Sequence, residues 1–300
     1  MTAESPGAGL SARDMLVLVA INILWGLNIV AVKFTVVDVP PFTSAALRMA
    51  MVCLLCLPAI RIVPGAMRDI LIFGALMGAG FFALTNLSLT VADNVSALAI
   101  AGQLGTPFAL ILGVIFLGER IGRRRLAGIA LALSGIAMLV FDPGLVSELL
   151  GLAITALASL VWAVGSIFQR QLKDVPVRTV YGWMGLLGMI GLSCLVLVFE
   201  PDSPGNLPDI PLAAWGWIAF SAIGSTLIGY GGMSWLLQRH PVSTVVPLLL
   251  PSPVIAVTAS SLAFGVRLTP LMILGGIVAM IGVAIISIRS VRRPIPPEAT

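Results

Sequence analysis

VSALAIAGQLGTPFALILGVIFLGER, residues 95–120, returns 147 residues later as VSTVVPLLLPSPVIAVTASSLAFGVR, residues 242–267. Val95-Ser96 falls on Val242-Ser243, Gly118 on Gly265 and Arg120 on Arg267. The same shift lays Gly128 on Gly275 and Gly135 on Gly282. Each stretch is long and apolar enough to cross a bilayer as a helix, which takes about 20 residues. Further upstream a shift of 137 places Trp25 on Trp162 and Lys33 on Arg170, the difference being absorbed largely by a longer loop after the seventh apolar run. The chain therefore reads as two copies of one unit.

Composition says what solvent those copies face. Hydrophobic residues make up 59% of the 300-residue chain and charged residues only 10%, with a mean hydropathy of +1.09. A water-soluble globule carries about 25% charged residues. This chain cannot cover itself against water in that way, so the expected solvent is lipid. Ten apolar runs follow in order, at about 14–34, 42–60, 70–91, 94–117, 125–141, 149–169, 178–199, 212–237, 242–264 and 270–288. The first is too long for the apolar part of a signal peptide and has no clean small-residue cleavage site, so it is expected to be retained. The domain reading is a cytoplasmic tail over 1–13, a first repeat over 14–141, a second over 149–288 and a tail over 289–300. The expected fold class is an all-α integral membrane protein of ten transmembrane helices in two five-helix repeats.

Charge placement sets the direction. With both termini cytoplasmic, the tails and inner loops hold Arg13, Arg61, Arg68, Arg120, Arg123, Arg124, Arg125, Arg170, Lys173, Arg178, Arg239, Arg289, Arg292 and Arg293. Only Lys33 and Arg267 fall outside, and Arg48 lies within a span, which accounts for all 17 basic residues. That asymmetry is the positive-inside pattern. It also explains the basic pI without a nucleic-acid partner. Five helices per copy is an odd number, so the second copy enters the membrane from the opposite side. Inverted repeats of this kind build many alternating-access transporters, with the solute site near the midplane between halves.

At this point the chain resembles a known family. The two five-helix units, Trp25-Gly26 and Trp162-Ala163 in the first helix of each, and Pro107-Phe108 through Leu117-Gly118-Glu119-Arg120 are similar to the drug/metabolite transporter superfamily. More narrowly they resemble its EamA-domain members, including YddG-type aromatic amino-acid exporters. The resemblance covers nearly the whole chain and implies a ten-helix bundle, a central cavity and export of small metabolites or amino acids. The pattern departs from symmetry at Glu119, whose counterpart is Val266, and at Pro253, one position out of register with Pro107.

Polar groups that persist in hydrocarbon are costly, which makes them candidates for a wet cavity. Asn28 shares a face with Trp25, Arg48 lies about two turns into the second run, and Asn86 is deep in the third. Gln103 is near the middle of the fourth, and Tyr230 with Ser225 and Thr226 marks the eighth. Asn and Gln also serve simply to tie helices together. Arg48 stays charged at any working pH and its planar fork suits a carboxylate, although it could instead meet helix carbonyls or act in gating. Trp25 and Trp162 are equivalent mid-helix residues, suited to walling a flat solute or to core packing, while Trp215 and Trp217 fit an interfacial belt. Trp183 completes the substrate-contact candidates. Pro107, Pro247, Pro251 and Pro253 each remove a backbone hydrogen bond and are read as hinges. Gly182, Gly185, Gly188 and Gly191 are expected to let a helix approach the seventh closely. Cys53, Cys56 and Cys194 read as small core residues.

The absences are informative. One histidine, His240, cannot assemble a metal site or a nucleophilic triad, and no Walker loop or zinc-protease motif occurs. No metal, cofactor or enzymatic activity is expected. No carboxylate falls near mid-membrane, since Asp14, Asp93 and Glu119 lie at helix ends, so facilitated export is expected over an Asp/Glu proton antiport. The expected protein is a monomeric exporter whose partners are a small-molecule substrate and the lipid bilayer. The rival reading is a non-transporting membrane scaffold or a membrane-embedded enzyme component.

Overall fold

A computed structural model describes residues 10–118, 121–240 and 242–287, the side chains of Leu117, Val242 and Ser243 excepted. Glu119, Arg120, residues 1–9 of the first tail and the second tail with Arg289, Arg292 and Arg293 lie outside the described residues. Among the described residues the chain is helical, with turns and no strand. The helices are α1 (Ala12–Asp38), α2 (Pro41–Cys56), α3 (Met67–Val91), α4 (Val95–Ala101 and Gly105–Leu117), α5 (Arg123–Val140), α6 (Leu149–Gln171), α7 (Val177–Phe199), α8 (Leu212–Leu237), α9 (from Val242, with its main body Pro251–Phe264) and α10 (Pro270–Ser287).

Nine helices among the described residues are long and apolar enough to cross a bilayer, so this is a multi-pass membrane protein. Ten runs were expected. The exception is α5, whose first turn is Arg123, Arg124 and Arg125, leaving only the stretch 126–140 apolar. The first helix also differs from expectation, running to Asp38 instead of ending near residue 34. Lys33 consequently lies more than a turn inside the helix and not at its end. Its ammonium donates to the carbonyls of Leu89 and Ala92 at 2.9 and 2.7 Å, satisfying the end of α3.

Helix ends are closed by local chemistry at some places and by distant carboxylates at others. Ser11 and Asp14 form a reciprocal capping box on α1. The N-terminus of α2 has no side-chain cap of its own; Glu200, from the end of α7, accepts from the amides of Phe42 and Thr43, both at 2.8 Å. Glu148, beside α6, accepts from the amides of Asp93 and Asn94 at the start of α4. At their far ends α4 and α9 stop on Gly118 and Gly265, with φ of +63° and +64°. Only glycine takes that left-handed turn without strain.

The same local departures from α-helix occur in both halves. Residues Gly74–Phe81 of α3 and Phe220–Tyr230 of α8 are π-helical. In α4 the 3-10 turn Gly102–Leu104 includes residue 103, the carbonyl that the ring of Pro107 would crowd in a regular helix. In α9 the 3-10 turn Val246–Leu249 holds Pro247, and Pro251 and Pro253 open the helix that follows.

Packing repeats this pairing. α1 lies against α9 and α8, and α6 lies against α4 and α3; α2 packs on α7, and α5 on α10. The glycines of α7 act as expected: an added Cβ at Gly185 would meet the Cys53 backbone at 2.6 Å, and one at Gly188 would meet the Gly78 backbone at 2.7 Å. Gly128, Gly135, Gly275 and Gly282 do the same between α5 and α10. Cys53 and Cys56 are buried, whereas Cys194 is exposed on the apolar surface and is not a core residue.

Candidate functional site

Among the described residues, Arg48 is the one basic side chain buried far from a helix end, 2% exposed, seven residues into α2 and roughly 10 Å along its axis. Its Nε donates to the Thr226 hydroxyl at 3.0 Å and Nη2 to the Ser225 hydroxyl at 3.3 Å, both on the π-helical part of α8. The guanidinium carbon lies 4.3 Å from the centre of the Phe82 ring, the first residue after the π-helical part of α3. Nη1 is buried with no partner. No carboxylate stands beside it among the described residues.

Aromatic rings continue from that point. Phe82 and Phe81 meet Tyr230 edge-on, each with ring centres 6.4 Å apart, and Tyr230 meets Trp25 at 4.7 Å. Trp25 is the central residue of α1, and its indole N–H donates to the Ser225 carbonyl at 3.3 Å. The ring fits there because residue 229 is glycine: an added Cβ would collide with the indole. On the other side of Arg48, Asn86 of α3 donates to the Ser44 hydroxyl at 2.8 Å and to the Pro41 carbonyl at 3.2 Å. Its Oδ1 is buried without a partner, as is the Ser221 hydroxyl of α8.

Arg48, Asn86, Ser221, Ser44 and Thr35 line one small space, closed on its remaining sides by Val32 and Ile218. Its volume is about 10 Å³, room for about one water molecule. Of the central cavity that the resemblance implied, the part beside Arg48 has this much room. A larger cleft of about 380 Å³ opens at the Glu200 end of the bundle, lined by Asp38, Thr43, Ser203, Asn206 and Asp209.

Four of the eight solute-contact candidates are therefore brought together: Trp25, Arg48, Asn86 and Tyr230. Asn28 lies on α1 three residues past Trp25, its Oδ1 buried and unpartnered. Trp162 packs on the same buried cluster as Phe81, Phe82 and Tyr230, and Gln103 lies on the 3-10 turn of α4, which faces α6. There the Trp162 ring covers Gly105, 2.9 Å from where a Cβ would stand. Trp25 and Trp162 thus have different partners despite their matched positions. Trp183 is at the opposite end of the bundle from Glu200, donating to the Arg61 carbonyl at 3.0 Å. Phe82, Ser44, Thr35 and Ser221 went unnoticed in the sequence, since an aromatic or a hydroxyl in an apolar run looks like ordinary packing. Among the described residues no three His, Cys, Asp or Glu side chains are grouped to hold a metal.

Comparison with known proteins agrees with this architecture. A "Probable amino-acid metabolite efflux pump" of Escherichia coli (strain K12) is 28% identical over 287 residues, covering 92% of this chain and 95% of that protein. Its namesake in Salmonella typhimurium matches to the same extent. A "Probable terminal-alkyne amino-acid exporter" of Streptantibioticus cattleyicolor is 23% identical over 186 residues, 62% of each chain. A solved crystal structure shares the fold, with a TM-score of 0.65 at 18% identity over 92% of this chain and 96% of that one. The EamA-like transporter family matches residues 13–141 and again 149–288, and the chain belongs to that family.

Proposed function

We propose that the protein exports small amino acids or amino-acid-like metabolites from the cytoplasm by alternating access, without catalysis, around the site formed by Arg48, Asn86, Tyr230 and Trp25. The observation that carries the reading is a permanently charged guanidinium buried where four helices meet, with its Nη1 group unanswered and no counter-anion among the described residues. A buried charge left so is costly unless something of opposite sign meets it. A scaffold would replace it with an apolar residue at no loss; a transporter of carboxylates has a use for it.

The moving parts in this reading are two five-helix repeats, 14–141 and 149–288, inserted in opposite directions, with ten crossings and both termini cytoplasmic. Support comes from exchange of partners between halves: α1 with α9 answers α6 with α4, and α1 with α8 answers α6 with α3. The paired π-helical segments, and the matched glycine turns at residues 118 and 265, support it as well. Such a pair of halves has two packings of similar energy, the requirement for alternating access. The prolines of α4 and α9 are the hinges. The relatives named as amino-acid efflux pumps and exporters support the solute class.

Flux tests it. Purified protein is reconstituted into proteoliposomes and counterflow is measured for each of the common amino acids in labelled form. Protein-dependent flux of at least one is expected. None across the whole panel removes the amino-acid reading.

A further inference from the structure

Three buried polar atoms with no partner, Arg48 Nη1, Asn86 Oδ1 and Ser221 Oγ, belong to residues 2%, 3% and 2% exposed, and all three residues line the same small cavity. Unsatisfied groups of this kind are rare in folded proteins and each costs about 1–3 kcal/mol. Three around one space, with room for about one water molecule while the bundle is closed, mark a place where a ligand can answer all of them once the helices part. The three differ in sign and in hydrogen-bonding capacity. Arg48 Nη1 is a cationic donor. Asn86 Oδ1 is a carbonyl oxygen and so an acceptor only, and the bonds of the amide nitrogen to Ser44 and Pro41 settle which end of the amide is left unpartnered. The Ser221 hydroxyl can accept as well as donate.

We propose that these atoms form a headgroup site for a zwitterionic α-amino acid, the guanidinium of Arg48 receiving the α-carboxylate and the oxygens of Asn86 and Ser221 receiving the α-ammonium. The proposal rests on the transport reading above and narrows it. The solute is recognised by its two ionic groups, while its side chain is left to the Trp25, Tyr230 and Phe82 rings. A site of one cation and two acceptors favours zwitterions over simple amines, which lack the anion, and over simple carboxylic acids, which lack the ammonium. The space beside Arg48 holds only about one water molecule, so a solute enters only when α2, α3 and α8 part. Arg48 then exchanges hydroxyl partners on α8 for the carboxylate, which links binding to movement of the π-helical segment.

The experiment uses the wild-type full chain and three derivatives of whichever amino acid gives the greatest flux: its carboxamide, its decarboxylated amine and its des-amino acid. Competition in proteoliposomes is measured together with the shift in thermal unfolding midpoint in detergent, with sodium chloride at matched concentration as the inorganic-anion arm. The amino acid is expected to compete and stabilise, and each derivative to do so about tenfold more weakly or worse. Derivatives that compete as well as the parent overturn the headgroup site while leaving amino-acid transport intact. If no amino acid is transported, the unfolding shifts are read across the whole panel. Stabilisation that needs both ionic groups retains the site and rejects the transport reading; stabilisation by chloride alone, or by nothing, overturns the site. Asn86→Asp gives a second test, because the near-isosteric carboxylate supplies Arg48 with an internal counter-anion and gives an ammonium a stronger acceptor. The decarboxylated amine is expected to gain about tenfold relative to the parent amino acid, and an unchanged ranking of the two in a folded N86D protein overturns the proposal.

Discussion

Two of the three nitrogens of Arg48 are held by hydroxyls of α8 and the guanidinium covers Phe82, so the side chain is fixed before any solute arrives. Trp25 is fixed just as firmly, through one hydrogen bond, one glycine and one ring. Changing it separates packing from polarity. Trp25→Phe keeps an aromatic against Tyr230 and removes the bond to the Ser225 carbonyl together with the volume of the second ring. It should lower stability by about 1 kcal/mol, seen as a small fall in unfolding midpoint, while membrane expression holds. Trp25→Ala leaves a cavity beside Tyr230 as well and should cost about 3–5 kcal/mol, with flux falling further than in the Phe variant. Equal flux in wild type and both variants takes Trp25 out of the solute path. Arg48 was conspicuous in the sequence as a charge within an apolar run. Ser221 was not, because a serine in an apolar helix has no one-dimensional mark showing which neighbour its hydroxyl will face.

Helix surfaces divide glycines into those with a neighbour and those without. Gly188 touches the Gly78 backbone and Met49, so Gly188→Val drives a branched side chain into a helix contact. About 1–3 kcal/mol of destabilisation is expected from overpacking. Gly216 on α8 has open space around it, and Gly216→Ala should stabilise by about 0.5–1 kcal/mol through helix propensity. Thermal unfolding of the two variants side by side checks the contrast, and a reversed order contradicts the packing of α7. Pro107 belongs to the same scale. Pro107→Ala returns an N–H able to reach residue 103 and lets the 3-10 turn of α4 become regular helix. Flux should drop while the unfolding midpoint stays or rises; flux as in wild type shows that the break at 102–104 is not a moving joint. The glycine spacing in α7 could be read directly, since small residues every third position make a groove. The π-helical segments of α3 and α8 were missed, because an extra residue in a turn depends on what the neighbouring helices make room for.

The whole bundle has two unlike ends. One carries Asp38, Asp93, Glu148 and Glu200, of which Glu148 and Glu200 close the starts of α4 and α2, while the other gathers Arg13 and Arg239 over the Trp235 ring. If the basic end is cytoplasmic, as the charge bias predicts, single cysteines in a cysteine-free background should report it. A membrane-impermeant maleimide added to intact cells is expected to label Asp209→Cys and not Arg61→Cys, with tags on both termini shielded together with residue 61. Tags on opposite sides contradict the inverted repeat outright, because an even number of crossings returns the chain to its starting side.

The sequence alone was enough for the helical, multi-pass membrane character of the chain and for its family. Runs of apolar residues must be helical in lipid, where each backbone N–H and C=O has to be satisfied within its own segment. The recurrence at 147 residues could be seen because it is a one-dimensional property, and it led to the EamA-like family. What needed the folded molecule was contact between residues far apart in the chain: Glu200 closing α2, Lys33 closing α3, and Arg48 facing hydroxyls 177 and 178 residues away. Those partners are chosen by how helices rotate and lean against one another. In a chain whose helices are apolar on nearly every side, the pattern of residues leaves that rotation undetermined, and close packing of glycines and rings decides it.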